Sequence, residues 1–257
     1  MNILERLTDK EIKRIEEELM QKEFNFYPSV YKLKGDDHYK MPLGLSDRNP
    51  EQFVEFTIKR NIKNLVHFTK VKNLDNILKY GLLSTHRLDK KDIDYELNDK
   101  ERYDNFKDGI FLSITHPNIG LLNEYKKRYS ASDWAVLLLR TDILWEKDCL
   151  FSVSNSANKW LNKMLKEYEY YGINNIKYLK KLFRSVCGDY ERKNLDIERN
   201  MTTDPQAEVI VFNKIETNYI KNICFEKNIP KRFKKYEDYI DIKQDEDYFN
   251  KRENFNN

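Results

Sequence analysis

The run WAVLLLR at residues 134–140 constrains the fold of this 257-residue chain more than any other feature. Its first six residues are all apolar, without the alternation of apolar and polar residues that a strand with one solvent-exposed face shows. Such a run is typical of a strand buried on both faces, and its sheet then needs other elements packed on each side. We therefore predict a mixed α and β protein with a single main body.

Shorter patterns predict the other elements of that body. Apolar runs bounded by turn formers predict strands at 65–68, 109–115, 208–212 and 221–225. Apolar residues at helical spacing predict a helix around Leu74 and Ile77 that ends at Gly81. The same criterion predicts helices within 116–129, 160–165 and 176–183. The polar stretch at 85–109 has no useful periodicity, and loops of this length are commonly functional.

The first 60 residues are predicted to form a helical appendage, 1–60, on a domain that spans 61–257. Thr8 and Glu11 make a capping box in front of apolar residues at helical spacing, which predicts that a helix begins there. Turn formers then concentrate between about residue 24 and residue 60. They separate this first helix from the pattern of strands and helices that follows.

The charge balance does not single out a polyanionic partner. Lys plus Arg number 46 and Asp plus Glu 43, a net charge of +3, so any affinity for nucleic acid must come from a local patch. Residues 125–129 and 230–239 mix basic with aromatic side chains, as grooves for single strands do. The same mixture also occurs on ordinary solvated faces.

Cysteine usage and hydropathy limit the class of protein. Cys149, Cys187 and Cys224 are widely separated and outside any C-x-x-C pair, so neither a disulfide framework nor a zinc site is indicated. No run approaches the roughly 20 apolar residues that span a bilayer, and the opening segment does not read as a secretory signal. We expect a soluble, cytoplasmic protein without a metal and without a membrane partner.

Three sets of polar residues could carry chemistry. His67 and Thr69 lie two apart on a predicted strand, so their side chains share one face and could bind one ligand. Arg102 offers a planar cation suited to a pyrophosphate or a carboxylate. Glu208 begins a strand that is otherwise apolar, where a carboxylate is costly unless it is paired or functional. Each has a plain structural alternative: a satisfied strand histidine, a solvated arginine and an outward-facing strand end.

A resemblance to a known family favours the functional interpretation. Four blocks, in order, resemble the DarT family of DNA ADP-ribosyltransferase toxins: LVHFTKVKNLDNILKYGLLS, DGIFLSITHPN, WAVLLLRTDILWEKDCLFSVSNSAN and TDPQAEVIVF. The resemblance covers about 62–250, because DEDYFNKR is similar to the closing segment of the family. It implies an α+β ADP-ribosyltransferase-like fold, in which two small packed sheets with flanking helices form a cleft for NAD.

The resemblance also implies roles for residues at matching positions. His67, Phe68 and Thr69 would be the NAD-binding tripeptide, and Asn76 and Ser84 would lie along the dinucleotide. Glu208 would be the catalytic glutamate. Arg102 would contact NAD and assist deprotonation of the acceptor base, with Arg87 as a nearby competitor for that place.

The implied activity is transfer of ADP-ribose from NAD to a base of single-stranded DNA, with release of nicotinamide. A toxin of this kind implies a separately encoded antitoxin that bears a macrodomain. The alternatives are transfer to RNA or another acceptor, plain hydrolysis of NAD, and a nucleic-acid-binding module whose catalytic site is vestigial. An acceptor surface that requires the 2′-hydroxyl would mark RNA.

Overall fold

The computed structural model describes residues 49–96, 106–130, 132–157, 175–187 and 190–252, all within one compact unit. The helices are α1 (Pro50–Arg60), α2 (Leu74–Tyr80), α3 (Thr85–Lys90), α4 (Ile119–Arg128), α5 (Ile143–Glu146) and α6 (Ile176–Lys181). The strands are β1 (Leu65–Lys70), β2 (Leu82–Leu83), β3 (Gly109–Ile114), β4 (Trp134–Leu139), β5 (Cys149–Ser152), β6 (Val186–Cys187), β7 (Tyr190–Glu191), β8 (Glu208–Phe212), β9 (Lys214–Ile215), β10 (Ile220–Phe225) and β11 (Asp241–Gln244). Short 3₁₀ helices cover Val71–Asn73, Arg192–Asn194, Thr217–Tyr219, Lys231–Tyr236 and Glu246–Phe249.

Seven of the strands share one hydrogen-bonded order, β11-β10-β4-β1-β3-β8-β5. Every neighbouring pair is antiparallel except β10 and β11. Strand β1 pairs with β4 along its whole length, from Leu65 to Lys70, but pairs with β3 only at Leu65 and Val66. Beyond Val66 the two strands separate. The sheet therefore divides into two parts that diverge between β1 and β3, which confirms the predicted fold class.

Strand β4 lies at the centre of the core, as its apolar run predicts. Its six residues are all buried. Alternate side chains enter two different clusters, Leu137 in one and Val136 in the other. Helix α1 contributes Phe53 to the first cluster, and α4 contributes Leu122 to the second. Both faces of the sheet are thus covered, which explains why β4 has no polar position.

The other predicted elements are largely confirmed, with one correction. The strands predicted at 109–115, 208–212 and 221–225 correspond to β3, β8 and β10, and Gly81 ends α2 with φ +84°. The stretch at 85–109 is not loop throughout, because α3 begins it. The side chain of Ser84 accepts a hydrogen bond from the backbone N–H of Arg87 and caps this helix.

Several predictions concern residues outside the described ranges. These are the helix expected after Thr8, the helix at 160–165, and the position of Arg102. The predicted domain boundary at residue 60 stays a prediction, although α1 itself packs into the main body through Phe53 and Phe56. Among the described residues no helix is both long and apolar enough to cross a membrane. The three cysteines are free and buried.

Candidate active site

A cleft of about 250 Å³ opens where β1 and β3 separate. One wall comes from the end of β1 and from α2, the floor from β3, and the opposite wall from the loop after β5 and the start of β8. His67, Thr69 and Asn76 line it on one side and Glu208 on the other. The divergence of the two strands thus creates a space that residues from both parts of the sheet share.

His67 bridges the gap between the diverging strands. Its Nδ1 lies 2.9 Å from the carbonyl oxygen of Phe111 on β3. Because a carbonyl can only accept, Nδ1 carries a proton in this hydrogen bond. Burial lowers the pKa of His67, against a smaller opposing effect of the Phe111 hydrogen bond, so the neutral ring is favoured. Nε2 is then a bare acceptor.

The two residues after His67 have different roles. The Phe68 ring packs against Tyr125 and Trp134, with ring centroids 6.1 Å apart in each case, so it anchors the strand to the second cluster. Thr69 is buried and its Oγ1 accepts a hydrogen bond of 3.1 Å from Nδ2 of Asn73. The predicted tripeptide therefore combines one apolar anchor with two polar groups that line the cleft.

Glu208 is the first residue of β8 and is only 9% exposed. The turn before it is set by Asp204, whose carboxylate accepts the backbone N–H of Gln206 at 2.7 Å. The backbone N–H of Ser156 donates to Oε2 of Glu208 at 2.9 Å. A charged residue can occupy this strand end because it receives a hydrogen bond there and lines a cleft rather than the apolar core.

The other predicted ligands lie at the edges of the cleft. Asn76 lines it, but its Nδ2 donates to the carbonyl oxygen of Asp94 at 2.7 Å. Ser84 is buried as the cap of α3, while Leu83 and Thr85 on either side of it line the cleft. The part taken by Asn76 and Ser84 along a dinucleotide stays a prediction.

Arg102 cannot be placed, since it lies outside the described residues, and its role also stays a prediction. Its competitor Arg87 lies on α3, where Nε is 3.4 Å from Oδ1 of Asn213. Arg87 does not line the cleft as the described residues form it.

The two basic and aromatic segments differ in how their rings are used. Tyr125 is buried, stacks on Trp134 and lines the cleft, and the neighbouring Lys126 pairs with Glu226 at 2.5 Å. In the second segment Tyr239 is 84% exposed, whereas Phe233 belongs to the core. Only the second segment therefore presents an exposed ring among solvated lysines.

Sequence reasoning missed two residues that organise the cleft. Ser156 holds Glu208 through a backbone N–H. Almost any residue type could make this contact, so the sequence does not predict it. Asn73 lines the cleft and contacts both Thr69 and Glu96. Its position before α2 reads as an ordinary helix start, and only the fold brings Glu96 to it. Within the described ranges no cluster of three His, Cys, Asp or Glu side chains could hold a metal ion.

Solved structures similar to this chain include proteins from Thermosipho africanus and from Thermus sp. 2.9. Thermosipho africanus DarTG in complex with ADP-ribose is 18% identical with a TM-score of 0.49, and the match covers 73% of this chain and 51% of that one. This chain thus spans about half of that protein. Thermus sp. 2.9 DarT in complex with NAD+ is 13% identical with a TM-score of 0.48, over 73% and 98% of the two chains. The same Thermus protein in complex with ADP-ribosylated ssDNA is 13% identical with a TM-score of 0.46, over 74% and 97%.

Sequence comparison identifies the family directly. No curated protein matches the chain. The family profile described as ssDNA thymidine ADP-ribosyltransferase, DarT, matches residues 66–244, from the residue before His67 to the end of β11. That span is well over half of the sequence and includes both walls of the cleft, and the chain therefore belongs to the DarT family of single-stranded DNA thymidine ADP-ribosyltransferases.

Proposed function

We propose that the cleft between β1 and β3 binds NAD and that Glu208 and His67 carry the transfer of its ADP-ribosyl group to thymidine in single-stranded DNA. The observation that supports this assignment most is the position of Glu208. It is a buried carboxylate at the start of an apolar strand, held by the Ser156 N–H, and it shares one cleft with His67 and Thr69.

The donor half of the reaction requires a fixed carboxylate. When the bond between C1′ of the ribose and the nicotinamide nitrogen breaks, the bonding pair leaves with neutral nicotinamide and positive charge develops on the ribose. Glu208 stabilises that charge and can accept a hydrogen bond from a ribose hydroxyl. The leaving group needs no proton because it departs neutral from a cationic ring. A single carboxylate is therefore sufficient.

The acceptor half of the reaction requires loss of one proton. Within a thymidine the base keeps one N–H, and its nitrogen must lose that proton as it forms the new bond to C1′. The proton passes to Glu208 or to water. Arg102 is assigned to positioning and polarising the base, since a guanidinium is a poor base. The target base must also be unstacked, which favours a single strand.

The neutral form of His67 fits a role in binding the donor. Its Nδ1 proton is engaged by Phe111, so Nε2 can accept a hydrogen bond from a ribose hydroxyl of NAD. The Thr69 hydroxyl, two residues along the same strand, supplies a second polar group on the same wall. Asn76 and Ser84 complete the assignment along the dinucleotide.

A separately encoded partner follows from the hazard of the activity. A DNA-modifying enzyme must be restrained in the cell that makes it, so we assign to it an antitoxin whose macrodomain removes ADP-ribose. We assign both proteins to the cytoplasm. Residues 1–60 are assigned to an appendage that docks the antitoxin. Deletion should stop at residue 48, because α1 contributes Phe53 to the core. Unchanged inhibition by the antitoxin after that deletion would contradict this role.

The assignment is tested by mass spectrometry of the acceptor. Wild-type protein, Glu208→Ala and the exposed control Glu124→Ala are incubated with NAD and, separately, with single-stranded DNA that contains or lacks thymidine and with RNA. We expect one ADP-ribosyl unit on thymidine-containing DNA with wild type and the control, and none with Glu208→Ala. Modification of RNA alone would contradict the DNA target. Release of nicotinamide without a modified acceptor would indicate hydrolysis of NAD instead.

A further inference from the structure

Asn73 connects two separate parts of the cleft wall through its side-chain amide. Oδ1 accepts the backbone N–H of Glu96 at 2.9 Å, and Nδ2 donates to the carbonyl oxygen of Glu96 at 3.0 Å. Nδ2 also donates to Oγ1 of Thr69 at 3.1 Å. A primary amide carries an acceptor oxygen and a donor nitrogen on the same carbon, so it can pair with both the N–H and the C=O of one residue.

The segment from Asp94 to Glu96 is fixed by further contacts around Asn73. The Glu96 carboxylate lies 3.3 Å from Nζ of Lys70 and 3.0 Å from Nζ of Lys72. Lys70 is buried, so its charge needs a counterion, and Glu96 supplies one. Tyr95 and Glu96 both line the cleft. Tyr95 and Glu96 therefore form a wall of the cleft, and Asn73 holds its backbone at Glu96 while Asn76 holds the neighbouring Asp94.

The hydrogen bond to Thr69 has a chemical consequence. A threonine hydroxyl has one proton to donate and two lone pairs that accept. Asn73 donates to Oγ1, so one lone pair of the Thr69 hydroxyl accepts that hydrogen bond. The hydroxyl proton of Thr69 can then be donated to another partner. Thr69 lines the cleft, so that O–H is the group that a bound dinucleotide would meet on this wall.

We propose that Asn73 is a positioning residue for the NAD donor. It sets the direction of the Thr69 hydroxyl and joins it to the backbone of Glu96 in the cleft wall, so that both are preorganised before NAD binds. The inference rests on the function proposed for the cleft. Asn73 would contribute to NAD binding indirectly, through Thr69 and Glu96.

Two variants separate this role from a general effect on folding. Asn73→Ala removes all three hydrogen bonds. Asn73→Asp keeps the size and the acceptor for the Glu96 N–H but loses both N–H donors. Asn194→Ala is the matched control, because its amide makes a single exposed hydrogen bond to Glu191 at 3.1 Å. Calorimetry of NAD binding without DNA, steady-state kinetics and thermal unfolding are measured for each.

We expect both Asn73 variants to raise the Kd and KM for NAD roughly tenfold or more, with a smaller change in kcat, because the lost hydrogen bonds position the donor. The control should match wild type. In a Thr69→Val background, Asn73→Ala should weaken NAD binding less than it does in wild type, because the two residues act together.

Other outcomes would overturn the proposal. A Kd for NAD within twofold of wild type in both variants would show that the amide does not position the donor. Fully additive effects in the Thr69→Val background would show that Asn73 does not act through Thr69. Loss of folded protein in both variants would assign Asn73 to stability alone. NAD binding is measured without DNA. A wild type that binds NAD but modifies no DNA would therefore contradict DNA as the acceptor, while the NAD affinities of the Asn73 variants would still test this inference.

Discussion

Replacing Glu208 by Gln removes one negative charge from the cleft while keeping the size of the side chain. The carbonyl oxygen of Gln can still accept the hydrogen bond that the Ser156 N–H gives to Oε2 at 2.9 Å. The variant is therefore expected to fold as wild type does and to bind NAD with similar affinity. What it loses is the interaction with the positive charge that develops on the ribose.

The size of that loss follows from the burial of Glu208. The side chain is 9% exposed, so the charges interact in a medium of intermediate polarity rather than in bulk water. Two unit charges about 4 Å apart, at an effective dielectric constant of about 20, interact by about 4 kcal/mol. Each 1.36 kcal/mol of barrier corresponds to a tenfold change in rate, so kcat should fall roughly a thousandfold.

The assay is initial-rate formation of ADP-ribosylated oligonucleotide under saturating NAD, with Glu124→Gln as an exposed control that should keep its rate. Calorimetry of NAD binding and a thermal melt are run beside it. A kcat of Glu208→Gln within tenfold of wild type, in a variant that melts normally, would refute the role of the charge. A large loss of NAD affinity with unchanged kcat would make Glu208 a binding group instead.

Three further predictions concern pH, the backbone and the thiols. Burial lowers the pKa of His67, so near and below the ordinary value of 6.5 the unfolded chain binds more protons than the folded protein does. The free energy of unfolding should therefore fall as the pH is lowered. In melts from pH 8 to pH 5 that fall should be steeper for wild type than for His67→Asn. Gly81→Ala places a Cβ 2.4 Å from the carbonyl oxygen of Ile215 at φ +84°, and should lower the free energy of unfolding by roughly 1–3 kcal/mol in urea titrations. Burial raises the pKa of Cys187 to about 11 and of Cys224 to about 12, so neither thiol should react with iodoacetamide at pH 8 until denaturant is added, as intact mass would report.

The sequence predicts five of the seven strands of the main sheet, all but β5 and β11, because those five depend on local patterns. The run at 134–139 is apolar throughout because β4 is covered on both faces, and Gly81 ends α2 because it adopts a positive φ. The sequence does not predict helix α3, because its six residues have no apolar periodicity, although Ser84 is a good capping residue.

The site could be predicted only in part, for a physical reason. His67, Thr69 and Glu208 carry chemistry in their own residue types and lie at strand positions, so they can be recognised in the sequence. Asn73 and Ser156 act through contacts to residues that are distant along the chain. Such contacts depend on how β1 and β3 diverge, and no local pattern encodes that divergence.

The most direct test of the proposed NAD site is a crystal structure of this protein with a carbocyclic analogue of NAD that cannot be cleaved. The nicotinamide ribose is expected to lie beside the Glu208 carboxylate, with the dinucleotide running along His67 and Thr69 between the diverging strands. An analogue bound outside the cleft between β1 and β3, or one whose ribose lies away from Glu208, would contradict the proposed NAD site.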